Sequence, residues 1–325
     1  MRNLNRLLTA LIVGIAWICA SLPDAMAQAW PQRPVHMIVP LPPGTSIDVS
    51  ARLVAEQLSA RWGQPVIVEN IPGADGILAA KDFVGRHDDH TLLYSFAGLI
   101  TINPLLYAKL PYDPARDLVP IATTSDNFLV VAASAKLKIA SLADLVKHAK
   151  SGSAKLNWAA TSGIPYFAFA GFLKAVGVDM VYVPYRDFNP ALSDLGEGRI
   201  EVASTGLTQL LPHVEAGRAT LLALLNRTRT PLTPKVPTAA EEGYTDLSFD
   251  GVTGLFGGRD TPTALRNRIA SDVRAVVENP AVRDRLPPLG IVARASTPDE
   301  FAAAIEEQRA KIAAIAAAIG TKPTQ

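Results

Sequence analysis

Four short turns in this sequence carry the residue types that bind anions. They span residues 41–48, 161–165, 185–190 and 204–208, and each is rich in glycine, serine, threonine or proline. Each follows a predicted strand and precedes a predicted helix, so N–H groups and hydroxyls gather where the helix dipole favours negative charge. A small organic carboxylate suits such donors. The alternative is that they are ordinary turns, since any α/β protein has small residues before its helices.

The first turn has the clearest local pattern. The apolar, β-branched residues 35–39 predict a buried strand, and Pro-Pro-Gly at 42–44 ends it. Apolar residues then recur at helical spacing from Ala51 to Trp62, which predicts one buried helix face. Asp48 lies in the first turn of that helix, where a carboxylate either caps the helix or contacts a ligand.

The other candidates follow later strands. Arg186 is the one cation in these turns, and it could hold a carboxylate in a bidentate fork or pair with its neighbour Asp187. Aromatic residues at 185 and 188 could line a ligand or belong to the core. The predicted ligand-binding residues are Pro43, Gly44, Thr45, Ser46, Asp48, Phe96, Thr161, Ser162, Gly163, Pro165, Tyr185, Arg186, Asp187, Phe188, Ser204 and Thr205.

Covalent and metal-dependent chemistry has little support in the sequence. The patterns G-x-x-x-x-G-K-[ST], G-x-G-x-x-G and G-x-S-x-G do not occur, which argues against a nucleotide phosphate loop and a nucleophile elbow. His87 and His90 flank two aspartates and could reach a metal together, but a solvated loop is the simpler explanation. We predict no metal, no cofactor and no catalytic residue.

Residues 1–27 predict a secretory signal peptide. Two arginines precede the apolar run 7–20, and small residues at 25–27 form a cleavage site, so cleavage is expected after Ala27. The single cysteine, Cys19, lies in this signal, so the mature chain has no thiol for a disulfide, a zinc site or a nucleophile. We expect an exported, periplasmic protein that is not inserted in the membrane.

The mature chain is charge-balanced and long enough for two cores. Removing the signal residues Arg2, Arg6 and Asp24 from the 31 basic and 30 acidic residues leaves 29 of each. No basic field is therefore present to attract nucleic acid. Removing 27 residues from 325 leaves 298, a length that favours two lobes over one.

Predicted strands and helices alternate along the chain, which indicates an α/β fold with right-handed crossovers. The chain is expected to cross between two lobes near residues 125 and 250, forming a double-crossover hinge with the ligand cleft between the lobes. Lobe 1 is predicted as 28–125 plus 251–325, and lobe 2 as 126–250. We expect two mixed, mainly parallel sheets with helices on both faces, and a last helix, 301–319, along the outside of the first sheet.

Several segments match a known family in order along nearly the whole mature chain. They are residues 40–44 with Asp48, 63–74, 183–185 with 190–192, 212–217, 236–238 with Glu241 and Gly243, and 297–301. Together they resemble the Bug receptors, the extracytoplasmic solute receptors of tripartite tricarboxylate transporters (TTT). The resemblance implies a monomeric Venus-flytrap solute-binding protein of the periplasm, which closes on a small organic acid and presents it to two integral membrane subunits. It carries the ligand contacts to residues 43–48, 161–165 and 185–188.

Two positions depart from the family pattern. Thr45 replaces the usual second glycine after Pro-Pro-Gly, and Asp187-Phe188 replaces a common Gly-Gly. A carboxylate at 187 would cost affinity for an anion unless it pairs with Arg186, is protonated or meets a donor on the ligand. Phe188 would add an apolar wall and favour a longer aliphatic or aromatic acid over citrate.

Three functions follow from these patterns. The leading one is transport, in which a non-enzymatic receptor binds a carboxylic acid, expected to be a dicarboxylate, and closes around it. A second is a ligand-sensing partner of a signalling system, which would use the same closure. A third is a periplasmic hydrolase or transferase with Ser46 or Ser162 as nucleophile, although no histidine lies in the candidate turns to activate it.

Overall fold

The computed structural model describes residues 30–152 and 155–323. The predicted signal peptide, residues 1–27, and its cleavage site lie outside the described residues. Among the described helices, none has both the length and the apolar character needed to cross a bilayer.

Within the described chain, eleven strands form two sheets. The strands are β1 (Val35–Val39), β2 (Val66–Asn70), β3 (Thr91–Phe96), β4 (Val119–Asn127), β5 (Leu129–Ser134), β6 (Asn157–Ala160), β7 (Val181–Tyr182), β8 (Val202–Gly206), β9 (Ala219–Leu224), β10 (Gly251–Gly257) and β11 (Ile291–Ala293). The first sheet has the order β11-β4-β10-β3-β1-β2, and the second sheet has the order β7-β6-β8-β5-β9.

Helices connect most of these strands. In the same described residues they are α1 (Ser46–Trp62), α2 (Ile77–Arg86), α3 (Gly98–Thr101), α4 (Asn103–Leu106), α5 (Leu142–Lys150), α6 (Ile164–Val176), α7 (Phe188–Glu197), α8 (Leu207–Glu215), α9 (Thr263–Val277), α10 (Pro280–Arg283) and α11 (Pro298–Ile319). The predicted alternation of strands and helices is confirmed.

The beginning of the first sheet forms as predicted. Strand β1 pairs in parallel with both β2 and β3. Helix α1 packs on this sheet, where Val54 and Leu58 share a buried cluster with Met37 and Leu92. Burying one such leucine contributes about 1.5–3 kcal/mol. This packing fixes the N-terminus of α1 at the carboxyl end of β1, where the first predicted anion-binding turn lies.

Both sheets are mixed, as predicted, but parallel pairing does not dominate them. Of the nine strand pairings in the described chain, four are parallel and five are antiparallel. Every antiparallel pairing includes β4, β5 or β10. These three strands lie where the chain passes between the sheets, so they run against the strands of the β-α-β units.

The first passage between the sheets divides a run that the sequence predicts to be strand-like throughout. Residues 121–133 split into β4 and β5 at Phe128. The side chain of Asn226, which follows β9, then joins the outgoing and returning segments. Its Oδ1 accepts from the N–H of Leu129 (2.9 Å), and its Nδ2 donates to the carbonyl of Asn127 (2.9 Å). One buried amide therefore ties the two passages together.

The last helix covers both sheets rather than the first alone. Phe301 and Ile305 of α11 pack in a core cluster of the first sheet, whereas Ile312 and Ala316 pack in the core of the second. With 22 residues, α11 is roughly 33 Å long, which is enough to reach across both. The chain thus connects the two sheets a third time, through a helix.

Candidate ligand cleft

A cavity of about 800 Å³ lies between the two sheets. Its wall is formed by the turns that follow β1, β2, β3, β6 and β8, by the segments that connect the sheets, and by residues 289–290. Seven of the sixteen predicted ligand-binding residues line it, namely Thr45, Ser46, Phe96, Thr161, Ser162, Gly163 and Pro165. The cavity therefore brings together the N-termini of α1 and α6, which belong to different sheets.

The first turn places two hydroxyl residues on the cavity wall. Thr45 is the N-cap of α1, and its Oγ1 accepts from the N–H of Asp48 (3.4 Å) and donates to the carbonyl of Pro42 (3.0 Å). Gly44 has a φ of +84°, a left-handed conformation that favours glycine. Pro43 and Gly44 do not line the cavity, but they shape the turn that presents Thr45 and Ser46 to it.

Asp48 holds this turn in place from a position outside the cavity wall. Its side chain is 3% exposed and accepts from the N–H of Gly44 (2.8 Å), Nδ2 of Asn70 (2.8 Å) and Nε of Arg52 (3.1 Å). Burial raises the pKa of Asp48, but the hydrogen bonds from these three groups outweigh it and bring the pKa below its ordinary value. Asp48 does not line the cavity, so the structure favours the capping alternative over ligand contact.

The second turn is shaped by its backbone. Gly163 is the N-cap of α6 and has a φ of +89°. The N–H of Thr161 donates to the carbonyl of Ser204 (3.1 Å), and the N–H of Phe167 donates to the carbonyl of Gly163 (3.1 Å). The first N–H groups of an α-helix have no partner within the helix, so those of α6 can be donated into the cavity next to Ser162.

The four predicted residues around the start of α7 do not line the cavity. Tyr185 donates its hydroxyl to Asp194, which lies in α7, and Phe188 packs against the core beneath that helix. Asp187 is the N-cap of α7 and accepts from the N–H of Asn189 (3.0 Å). Capping accounts for a carboxylate that would be out of place beside an anion, and Arg186 is exposed.

The end of β8 reaches the cavity later in the chain than predicted. Ser204 and Thr205 are fully buried within the strand, and the Thr205 hydroxyl donates to the side chain of Gln209. Instead, Gly206, Thr208 and Gln209 line the cavity. The difference arises because β8 continues to Gly206, so the turn begins after the residues with the strongest turn signal.

Sequence reasoning missed most of the apolar wall. Leu41, Ile102, Leu106, Phe128 and Val252 all line the cavity. Three of them come from the segments that connect the two sheets or from the irregular stretch after β3. That stretch carries apolar residues without helical or strand periodicity, a signal that they pack against something other than their own sheet.

The cavity wall carries almost no charge. Among the described residues that line it there is no lysine, arginine or histidine, and Asp75 is the one ionisable side chain. A bound carboxylate would therefore be held by N–H groups, hydroxyls and the side-chain amide of Gln209, because the amides of Asn103 and Asn127 already donate to oxygens of the protein. Such neutral donors at helix N-termini are sufficient for anion binding.

One histidine of the pair considered for a metal, His90, has structural partners. The Nε2 of His90 accepts from the N–H of Gln32 (3.2 Å), and its Nδ1 bonds to Oδ1 of Asp89 (2.7 Å). Both ring nitrogens of His90 are thus hydrogen-bonded to the protein. In residues 30–152 and 155–323, no group of three His, Cys, Asp or Glu side chains could hold a metal ion.

Comparison with known proteins agrees with this architecture. Residues 50–321 match the model of the "Tripartite tricarboxylate transporter family receptor". The chain is 30% identical over 314 residues to a UPF0065 protein of Bordetella bronchiseptica, covering 96% of this chain and 93% of that protein. It is 29% identical over 324 residues to Protein BugT of Bordetella pertussis, covering 98% and 99% of the two chains.

Solved structures share the fold. The Rhodopseudomonas palustris protein Rpa4515 with adipate has a TM-score of 0.77 and 27% identity, covering 91% of this chain and all of its own. MatC of the same organism with bound malate has a TM-score of 0.72 and 27% identity, covering 88% of this chain and 99% of its own. The family match and the shared two-sheet fold confirm the resemblance to the Bug receptors: this chain belongs to the tripartite tricarboxylate transporter receptor family.

Proposed function

We propose that this chain is a periplasmic solute-binding receptor that captures a small carboxylic acid in the cleft and delivers it to a tripartite tricarboxylate-type transporter with two integral membrane subunits. It performs no chemistry on the acid. The observation that carries the proposal is that the N-termini of α1 and α6, from different sheets, face one cavity without a basic side chain in its described wall. Relatives of known structure hold adipate and malate, which makes a carboxylate the ligand class to test.

The mechanism is closure of two lobes around the acid. Lobe 1 comprises residues 28–125 and 251–325, and lobe 2 comprises residues 126–250, with α11 packed on both. Contacts from both lobes favour the closed state because the ligand then binds it more tightly than the open state. The monomer presents the closed form to the membrane subunits.

Hydrolysis is a poor fit to the same cavity. Ser46 and Ser162 line it, but a serine hydroxyl needs an adjacent base to become a nucleophile. The described lining residues include no histidine, lysine or glutamate, and the one carboxylate, Asp75, is not hydrogen-bonded to either serine in the described contacts.

Thermal unfolding of residues 28–325 with a panel of mono-, di- and tricarboxylates tests the binding step. An acid at 100 times its dissociation constant should stabilise the protein by about 2.7 kcal/mol. Ser162→Glu places a negative charge at the N-terminus of α6 and should weaken binding by about tenfold or more. Ser193→Glu, on the exposed face of α7, is the matched control and should leave affinity unchanged. A panel without any stabilising acid, or full affinity in Ser162→Glu, would refute carboxylate binding.

Uptake measurements test the delivery step. Cells that lack this receptor should lose uptake of the radiolabelled acid and regain it with the wild-type chain but not with Ser162→Glu. Unchanged uptake without the receptor would show that it does not serve a transporter, and would leave the signalling alternative.

A further inference from the structure

Asp75 is the one charged side chain among the described residues that line the cleft. It lies in the short 3₁₀ turn Ala74–Gly76 that precedes α2. The rest of the wall consists of apolar side chains, glycines, prolines and neutral polar groups. A single carboxylate in such a wall has a direct effect on which ligand can bind, because no other ionisable side chain of the described wall acts on a charge in the cleft.

Asp75 is held in a defined position. Its Oδ2 accepts from the hydroxyl of Tyr107 (2.6 Å), and its backbone carbonyl accepts from Nδ2 of Asn103 (3.2 Å). Ala74 and Asp75 have φ values of +48° and +50°, a conformation that is costly for residues other than glycine. The contacts of the turn must offset that cost. Asp75 is also exposed, so a ligand in the cleft can reach its carboxylate.

The partner of Asp75 is neutral. The hydrogen bond to Asp75, with burial as a second cause, raises the pKa of Tyr107 to about 12, so the phenol remains a donor at neutral pH. None of the ion pairs of the described residues includes Asp75. Asp75 therefore lines the cavity without an ion-pair partner among the described residues.

Two consecutive residues, Ile102 and Asn103, connect the turn that begins α6 with Asp75. Asn103 donates to the carbonyl of Asp75, and the preceding residue, Ile102, lies against the turn of α6: a Cβ on Gly163 would be 3.5 Å from Ile102 Cδ1. The cavity wall beside this segment is apolar and includes Leu106. A small ligand whose carboxylate binds at the N-terminus of α6 can therefore extend along an apolar wall toward Asp75.

We propose that the ligand of this receptor is an ω-amino acid or a similar molecule, with a carboxylate at one end, an apolar body, and an ammonium at the other end that binds Asp75. A dicarboxylate would bring a second negative charge toward Asp75, whereas an ammonium would balance that charge and complete its hydrogen bonds. The inference rests on the proposed function, and it replaces the expected dicarboxylate with a zwitterion.

Calorimetric titration with acids matched in length tests this choice. ε-Aminocaproate, adipate and hexanoate share a six-carbon chain and differ only at the distal end, and γ-aminobutyrate, succinate and butyrate form the four-carbon set. In at least one set the wild-type protein should bind the amino acid about tenfold more tightly than the dicarboxylate. Asp75→Asn should weaken amino acid binding and strengthen dicarboxylate binding, each by several-fold, with little change for the simple acid.

Glu56→Gln is the control, since it removes one negative charge from an exposed position of α1 outside the cavity wall. It should leave all affinities unchanged. The inference would be overturned if the wild type bound the dicarboxylate at least as tightly as the amino acid. It would also be overturned if Asp75→Asn changed the affinities for the amino acid, the dicarboxylate and the simple acid equally. In both cases carboxylate binding would still stand. Hexylamine binding more tightly than every acid would instead refute the proposed carboxylate function.

Discussion

The two turns of the cleft that are predicted to bind an anion are built by different means. The turn after β1 is held by side chains, since Asp48 and Asn70 fasten its backbone at Gly44 and Leu41. The turn after β6 has a glycine with a positive φ and one backbone hydrogen bond to β8. The first turn is therefore preformed by a buried hydrogen-bond network, whereas the second depends on the backbone conformation that a single glycine can adopt. Substitutions should accordingly have unequal effects on the two sides of the cleft.

Removing the carboxylate of the first turn should have the largest effect. Asp48→Ala leaves the N–H of Gly44 and the amide of Asn70 without their acceptor, which should cost about 3 kcal/mol in the free energy of unfolding. Ligand affinity should fall by about tenfold because Thr45 and Ser46 lose their fixed positions. Urea unfolding and calorimetric titration measure both effects. Unchanged affinity in a folded variant would show that the network does not organise the site.

The second turn should be more tolerant. Gly163→Ala retains a φ of +89° and a ψ of −139° at a cost of about 1–3 kcal/mol, without a clash, since its nearest neighbour is 3.5 Å away. Gly177→Ala at the other end of α6 is the matched control, with a φ of +66° and no atom within 4 Å. Gly163→Ala should lose more stability than Gly177→Ala, because Gly163 has a ψ of −139° and lies outside the αL region that Gly177 occupies, but only Gly163→Ala should weaken ligand binding. Equal affinities in the two variants would contradict a ligand contact at Gly163.

A substitution at Asp187 distinguishes helix capping from ligand binding at another helix, α7. Asp187→Ala removes the N-cap of α7 and should cost about 1 kcal/mol in stability. It should not change ligand affinity, in contrast to Asp48→Ala, because Asp187 does not line the cavity. Thermal unfolding and titration test the pair side by side. A marked change in affinity would mean that the α7 turn joins the site when the ligand is bound.

Acidity should affect the two turns differently. The folded-state pKa of Asp48 is below its ordinary value of 3.8, so its contribution to stability is complete above that pH and is lost as the pH falls through the folded-state pKa. The stability difference between the wild type and Asp48→Asn should shrink on acidification below about pH 4. The second turn has no titratable group, so the difference for Gly163→Ala should stay constant. A pH-independent difference for Asp48→Asn would contradict the sign of this shift.

Local sequence signals predicted the helix N-termini better than they predicted which residues line the cavity. Thr45, Ser162 and Gly163 were found because small residues between a strand and a helix leave a visible pattern. The same pattern marked Asp187 and Thr205, which the structure places in a helix cap and inside a strand. Turn chemistry indicates where a helix begins, but not which way the turn faces.

The sequence by itself determined the alternation of strands and helices and the family, and it predicts the export signal. These properties depend on composition, periodicity and short motifs, which are local. Only the tertiary structure decided that α11 spans both sheets, that Asn226 ties the two strand passages, and that Asp75 lines the cleft. Each of these depends on contacts between residues far apart in the chain, and those contacts form only when the two complete sheets pack.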